Sequence, residues 1–411
     1  MSFSLLRFSC LTLVLVLAVA CAGNDAQMNA ITTPMPPQER VYIPAPAQQR
    51  PAYAPLYSSQ QAVQQETLAP YQPTVQPAAQ NVKVALLVPL SGPHAPLGDA
   101  MVKAAEMAVF DIGVNNFELM PRDTKGTPSG TIAAAKSAID SGAQLFIGPV
   151  FAADVAAAKP IAQKAGVNML ALSTDVSLAQ PGLYVLGFAP APQAERMASY
   201  AFDQGKTRFA MITPQGAYGK LVAQTFRNAV QTRGGQIVVE STPDNLAPIV
   251  AAQNNLDALF LPLGGAQLKS VLSNLVQADF NVARVKLLGT GLWDEAQIVQ
   301  ENPALLGAWF PAAEPASRAA FLKSYESTYG AAPLRLATLA YDATALAAVL
   351  TYHGLPLNRD TLIMPTGFAG VDGLFRLQPS GTIERGLAVM EVSSPENIAI
   401  DPAPTSFASP D

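Results

Sequence analysis

The stretch Val84-Ala85-Leu86-Leu87-Val88-Pro89-Leu90-Ser91-Gly92-Pro93-His94-Ala95-Pro96-Leu97-Gly98 decides how the rest of the chain is read. Its first five residues form an unbroken apolar run, the pattern of a strand covered on both faces. A loop follows (Pro89 to Pro96), and then a helix is expected from about Leu97 to Asp111. Similar units come next. Leu119-Met120 precedes a helix at about 129–140, Gln144 to Ile147 precedes one at about 152–165, and Met169 to Leu172 closes the set. The pattern restarts at Phe209 to Ile212 with a helix from about Tyr218, then runs through Ile237 to Glu240, Ala258 to Leu261 and Val285 to Leu288. Strands alternating with helices of roughly ten to fifteen residues specify a parallel sheet with helices on both faces. Two such series in succession predict an α/β protein of two lobes with a cleft between them.

Outward from this body, the composition changes sharply. From Ala22 to about Gln80, ten prolines between Pro34 and Pro77 are interleaved with Gln, Ala and isolated Tyr, with few charges and no apolar periodicity. Such a segment cannot bury enough surface to offset its ordering entropy, so residues 21–80 are expected to be a disordered tether. Its reach is roughly 40 Å as a coil and at most about 180 Å as polyproline helix. Residues 394–411 are expected to be a second frayed end. Ahead of the tether, Arg7 precedes an apolar run from Leu11 to Val19 that ends in Leu17-Ala18-Val19-Ala20-Cys21. That run is half of what a membrane-spanning helix needs, about twenty residues. A short apolar run behind a positive charge, closed by small residues, reads as a secretory signal over residues 1–20.

The 411 residues carry a net charge of −5, which leaves no electrostatic footprint for nucleic acid. Half of them are apolar, enough for a sizeable core. No later run reaches about eighteen apolar residues uninterrupted, so the body is read as soluble. Cys10 and Cys21 are the only cysteines and Cys10 lies in the signal, so no disulfide or cysteine-based metal site is expected. The chain has two histidines, His94 in a Pro-flanked loop and His353 at a helix end, and no G-x-S-x-G, S-x-x-K or H-E-x-x-H motif. Gly264-Gly265 with Lys269-Ser270 is not a phosphate loop, because Leu268 stands where that motif requires Gly. Neither enzymatic activity nor a metal or cofactor is expected.

The ordered set Val84–Gly98, Gln144–Pro149 (QLFIGP), Ala217-Tyr218-Gly219 and Ala340-Tyr341-Asp342-Ala343 resembles the type I periplasmic-binding fold, as in the leucine/isoleucine/valine-binding proteins. Leu17–Cys21 resembles the lipobox of bacterial lipoproteins, in which the Cys becomes the lipidated N-terminus. With the tether and Gly370-Val371-Asp372-Gly373-Leu374-Phe375-Arg376, it makes the chain similar to penicillin-binding-protein activator lipoproteins. The resemblance implies a domain over 81–393: lobe 1 at about 81–189 and 313–366, lobe 2 at about 190–312 and 367–393. It also implies three crossovers, near Gly187–Pro192, Gly307–Pro315 and Thr366–Gly370.

In the amino-acid-binding members, small hydroxyl residues, main-chain amides, a Tyr and a Glu hold the ligand's carboxylate and ammonium in the cleft. The resemblance places Phe151, Ser173, Thr174, Asp175, Tyr218, Trp293 and Asp294 as the candidate ligand-binding residues. Ala152 or Ala153 stands at the first hydroxyl position, and the ammonium-pairing Glu falls near Gly291, leaving Asp175 or Asp294 to substitute. A buried ammonium without a carboxylate is costly. Two functions are therefore expected from one fold: a lipoprotein that activates a peptidoglycan synthase, or a solute-binding protein that brings a small polar ligand to an ABC-importer permease. Ala22 after the lipidated Cys21 is not the Asp resembling an inner-membrane retention signal, so a lipid anchor in the outer membrane, facing the periplasm, is expected.

Overall fold

The computed structural model describes residues 81–294 and 298–407. The signal, Cys21 and the tether fall outside the described residues.

Five strands build the first lobe: β1 (Val82–Val88), β2 (Phe117–Asp123), β3 (Leu145–Ile147), β4 (Asn168–Ala171) and β5 (Leu183–Val185). They pair in parallel in the order β2-β1-β3-β4-β5. The quoted run Val84–Val88 is the centre of this sheet and is fully buried. Because side chains alternate across a strand, Val84, Leu86 and Val88 face one layer and Ala85 and Leu87 the other. Helix α1 (Ala95–Ile112) covers the first face through Met101 and Ala105. Helices α2 (Pro128–Asp140) and α3 (Ala152–Ala165) cover the second through Ala134, Ala135, Ala138, Val155 and Ala158.

The chain crosses after β5 into the second lobe, which interleaves β6 (Arg208–Ile212), β7 (Gln236–Ser241), β8 (Ala258–Phe260), β9 (Lys286–Leu288) and β10 (Trp309–Ala312) with helices α4 to α8. These helices span Pro190–Asp203, Ala217–Thr232, Ala247–Ala252, Gly265–Gln277 and Ile298–Glu301. On one face α4 and α5 pack Met197 and Phe226 on Phe209 and Phe260, with Phe226 and Phe260 stacked at 4.1 Å. On the other, Leu268, Val271, Leu272 and Leu275 of α7 pack with Ile212, Leu259 and Trp293. Asp257 pins the strand starts, accepting hydrogen bonds from the amides of Thr207 (3.0 Å) and Arg208 (2.9 Å) and from Arg208 Nη2 (2.7 Å).

After β10 the chain returns to the first lobe. Helix α9 (Pro315–Tyr329) sets Phe321 and Tyr325 against α1 and α10 (Ala337–Tyr352). Helix α10 is buried over most of its surface and predominantly apolar, and places Leu339, Ala343 and Leu346 under β1. Beyond α11 (Arg359–Leu362), a three-stranded antiparallel sheet forms from β11 (Phe368–Gly370), β12 (Gly373–Leu377) and β13 (Ile383–Arg385). Phe375, Leu377 and Ile383 bury themselves in the core of the first lobe, not the second. This corrects the third crossover: it lies at Gly386–Leu387, not near Thr366–Gly370.

A second correction concerns the C-terminal end. β14 (Ala388–Glu391) pairs antiparallel with β10, and β15 (Ile398–Asp401) pairs antiparallel with β14. The segment expected to fray from residue 394 therefore carries the edge strand of the seven-stranded sheet β15-β14-β10-β9-β8-β6-β7. Its short Ile-Ala-Ile-Asp run gains ladder hydrogen bonds that composition alone does not advertise. Among the described residues no helix is long and apolar enough to cross a membrane.

Candidate functional site

A cleft of about 660 Å³ opens between the lobes. Thr174, Phe188, Arg335, Asp372 and Arg385 line it from the first lobe and the segments packed on it. Tyr218, Gly291, Leu292, Asp294 and Pro311 to Ala313 line it from the second.

Three of the candidate residues meet here: Thr174, Tyr218 and Asp294. Tyr218, in the first turn of α5, has its hydroxyl 3.3 Å from Thr290 Oγ1, and burial pushes its phenol pKa up. The Asp294 carboxylate is already engaged. Arg318 of α9 grips both its oxygens, with Nη2 at 2.7 Å, and Arg335 Nη2 lies 3.5 Å away. The Asp294 hydrogen bond raises the Arg318 pKa against the cost of burial. Asp294 follows Trp293 of the second lobe's core, whereas Arg318 and Arg335 belong to segments packed on the first. The ion pairs thus tie one lobe to the other, and the Asp294 charge is already matched by two guanidiniums.

Other candidates serve local structure. Asp175 caps a short 3-10 turn, its Oδ1 accepting from the Ser177 amide (3.0 Å) and hydroxyl. Ser173 is buried and its Oγ accepts from the Asp175 amide at 3.2 Å. Phe151 packs against His94, ring centres 4.7 Å apart, in the first lobe instead of lining the cleft. Trp293 is not a stacking platform for a ligand. It is fully buried, donates from Nε1 to the Leu263 carbonyl at 2.9 Å, and packs so closely on Gly289 that a Cβ there would meet the indole at 2.2 Å. A large aromatic in a core with its N–H satisfied is a packing element.

The charged floor of the cleft was not foreseen. Phe188 packs with two guanidiniums, Arg335 at 4.3 Å and Arg385 at 5.2 Å from its ring centre. Arg335 pairs with Asp372 at 2.9 Å. Below them Asp342, from the middle of α10, accepts from the Val371 amide (2.7 Å) and the Asp372 amide (3.4 Å). Gly370 makes this fit possible, since a Cβ there would sit 2.6 Å from the Asp342 carboxylate. Burial, reinforced by Asp372, pushes the Asp342 pKa up to about 7, with Arg385 opposing. Burial likewise lowers the Arg385 pKa. Both aspartates stand in the Ala340–Ala343 and Gly370–Arg376 motifs, and an acid within such apolar runs was a signal. Nothing in the spacing announced Arg318, Arg335 or Arg385. No cluster of acidic, His or Cys side chains suited to a metal occurs among the described residues.

Two α/β lobes around a cleft lined by polar and charged side chains define a binding protein of the two-lobed periplasmic type. A family model described as "Periplasmic binding protein" matches residues 81–394, and the chain belongs to that family. This is a solute-binding fold, and membership implies an extracytoplasmic location. A putative branched-chain amino acid ABC transporter protein from Rhodospirillum rubrum has a solved structure similar to this one. The TM-score is 0.71 at 21% identity, over 78% of this chain and 100% of that one. Among curated proteins, the chain is 27% identical over 230 residues to Leu/Ile/Val-binding protein homolog 3 of Brucella melitensis, covering 52% of this chain and 62% of that protein. It is 24% identical over 200 residues to penicillin-binding protein activator LpoA of Yersinia pseudotuberculosis, covering 39% of this chain and 30% of that protein. The matched stretch thus spans less than two thirds of either relative.

Proposed function

We propose that this protein is a non-enzymatic envelope lipoprotein whose binding-fold domain acts on a protein partner, a peptidoglycan synthase, as a penicillin-binding-protein activator. One observation carries the proposal: the cleft carboxylate at the ammonium end, Asp294, is held by Arg318 and Arg335 of the opposite lobe. An amino-acid carrier needs that charge free, because an ammonium taken from water without a partner is strongly disfavoured. Lobes that are tied by their own ion pairs instead present a fixed outer surface. The match to a protein named as a penicillin-binding protein activator supports this reading. So does the Cys21 anchor with its long tether, which would let the domain reach a partner from the outer membrane. The test is glycan-chain polymerisation by a peptidoglycan synthase of the same organism, with and without the purified protein. A rate increase that saturates with protein supports the proposal; an unchanged rate, with no complex on co-purification, sinks it.

A second reading has its own observation. A cleft of about 660 Å³ with Tyr218 and Thr174 on its walls is large enough for a small solute. The match to a Leu/Ile/Val-binding protein homolog points the same way, towards delivery to an ABC-importer permease. Loss of uptake of a labelled small solute in a deletion strain, with peptidoglycan synthesis unchanged, would favour it.

A further inference from the structure

The small molecule that suits the cleft is a separate question from the partner that the domain touches. Arg385 is the informative side chain. It lines the cleft with 5% of its side chain exposed. Its Nη2 donates to the Leu186 carbonyl at 2.9 Å, but the buried Nε and Nη1 have no hydrogen-bond acceptor among the described residues. The nearby carboxylate oxygen, Asp342 Oδ2, lies 4.0 Å from Nη1, beyond hydrogen-bonding distance. Phe188 and Phe375, at 5.2 and 5.4 Å from its Cζ, hold the guanidinium in place. A buried guanidinium with donors unmet is an unusual arrangement, since buried donors are nearly always paired.

The acids around it already face arginines or are enclosed. Asp294 is gripped by Arg318 and Arg335, Asp372 pairs with Arg335, and Asp342 is closed in under Gly370. Three arginines face three aspartates, and burial raises the pKa of one of these, Asp342, which weakens its hold as a counter-charge. Leu292, Pro311 and Leu387 give the rest of the wall an apolar character.

We infer that the cleft takes a small monocarboxylate with an apolar body and no ammonium group, its carboxylate meeting the unfilled Arg385 donors. An amino acid of the same shape is discriminated against because its ammonium finds no acceptor. This goes beyond the partner reading and holds whichever protein the domain contacts.

The test is calorimetric titration of the purified full-length protein with three molecules of one shape: 4-methylpentanoate, 4-methylpentanamide and L-leucine. The acid is expected to bind at least about tenfold more tightly than the other two. Arg385→Met should abolish acid binding while circular dichroism and the unfolding midpoint show a folded protein. Should that variant fail to fold, the acid–amide comparison on the unaltered protein decides alone. Amide binding equal to acid, leucine binding equal to or tighter than acid, or no saturable heat from 4-methylpentanoate, hexanoate or phenylacetate up to about 10 mM overturns the inference.

Discussion

Replacing Asp294 with Asn removes the charge that ties the lobes and leaves the side chain's size unchanged. The cost follows from exposure. Asp294 and Arg318 show 13% and 16% of their side chains to solvent, whereas Arg335 shows 36%. Breaking a fully buried pair costs about 3–5 kcal/mol and an exposed one about 0–1 kcal/mol. The two-pronged Arg318 contact falls between, at about 2 kcal/mol, and the longer Arg335 contact adds about 0.5 kcal/mol. The loss falls on the joint between lobes, so it appears as opening more than as unfolding of either lobe. About 2.5 kcal/mol raises the opening constant roughly 60-fold. Small-angle scattering should therefore report a larger radius of gyration, while the amides of β1 and β6 keep their exchange protection. A double-mutant cycle of Asp294→Asn with Arg318→Met should show a coupling energy of about 2 kcal/mol. Coupling below about 0.5 kcal/mol, or an unchanged radius of gyration, would refute the idea that this ion pair closes the cleft.

Further outcomes follow from the same geometry. Burial and Asp372 hold the Asp342 carboxyl up to about 7, above the ordinary value of 3.8, so the folded protein keeps a proton that the unfolded chain releases in between. That contribution is fully present below the unfolded pKa and is lost as pH rises towards about 7. It is worth at most about 4 kcal/mol. Urea denaturation at pH 5 and pH 8 should show a smaller difference for Asp342→Asn than for the unaltered protein; an equal difference counts against it. Asp257 behaves oppositely. Burial pushes it up, but the Arg208 side chain and the Thr207 and Arg208 amides outweigh burial and hold its pKa far below the usual range. Its stabilisation declines as pH falls below about 4, and Asp257→Asn should cost about 1 kcal/mol at pH 7, discounted for the exposed Arg208, and progressively less in acid. Trp293→Ala should cost about 3–5 kcal/mol by thermal or urea unfolding, as a cavity in the second lobe's core. A loss under about 1 kcal/mol would mean that the indole is not packed as described.

Periodicity and apolar runs made the architecture legible. Val84–Val88 could only be a strand covered on both faces, and the restart at Phe209 marked a second lobe; both sheets follow. Segments whose placement rests on distant partners were harder to read. Ile398–Asp401 is a strand because β14 is beside it, and β11–β13 belong to the first lobe because Phe375, Leu377 and Ile383 find its core. For the cleft, Tyr218 and Thr174 were legible from their loops, and Asp294 was placed there but without the arginines that neutralise it. Arg318, Arg335 and Arg385 all follow the second crossover and come to the cleft only because the chain returns to the first lobe. No local pattern encodes such a meeting. Trp293 misled because an aromatic beside cleft glycines fits a ligand platform and a core equally well until Gly289 is seen beneath it.

The central claim, that the charges of this cleft are engaged with one another and not held free for an amino acid, is tested most directly by titrating the purified protein with L-leucine, L-isoleucine and L-valine in a calorimeter. The account predicts no saturable heat at concentrations up to about 1 mM. Binding of any of the three with a Kd near 1 µM or tighter, about −8 kcal/mol, would contradict it.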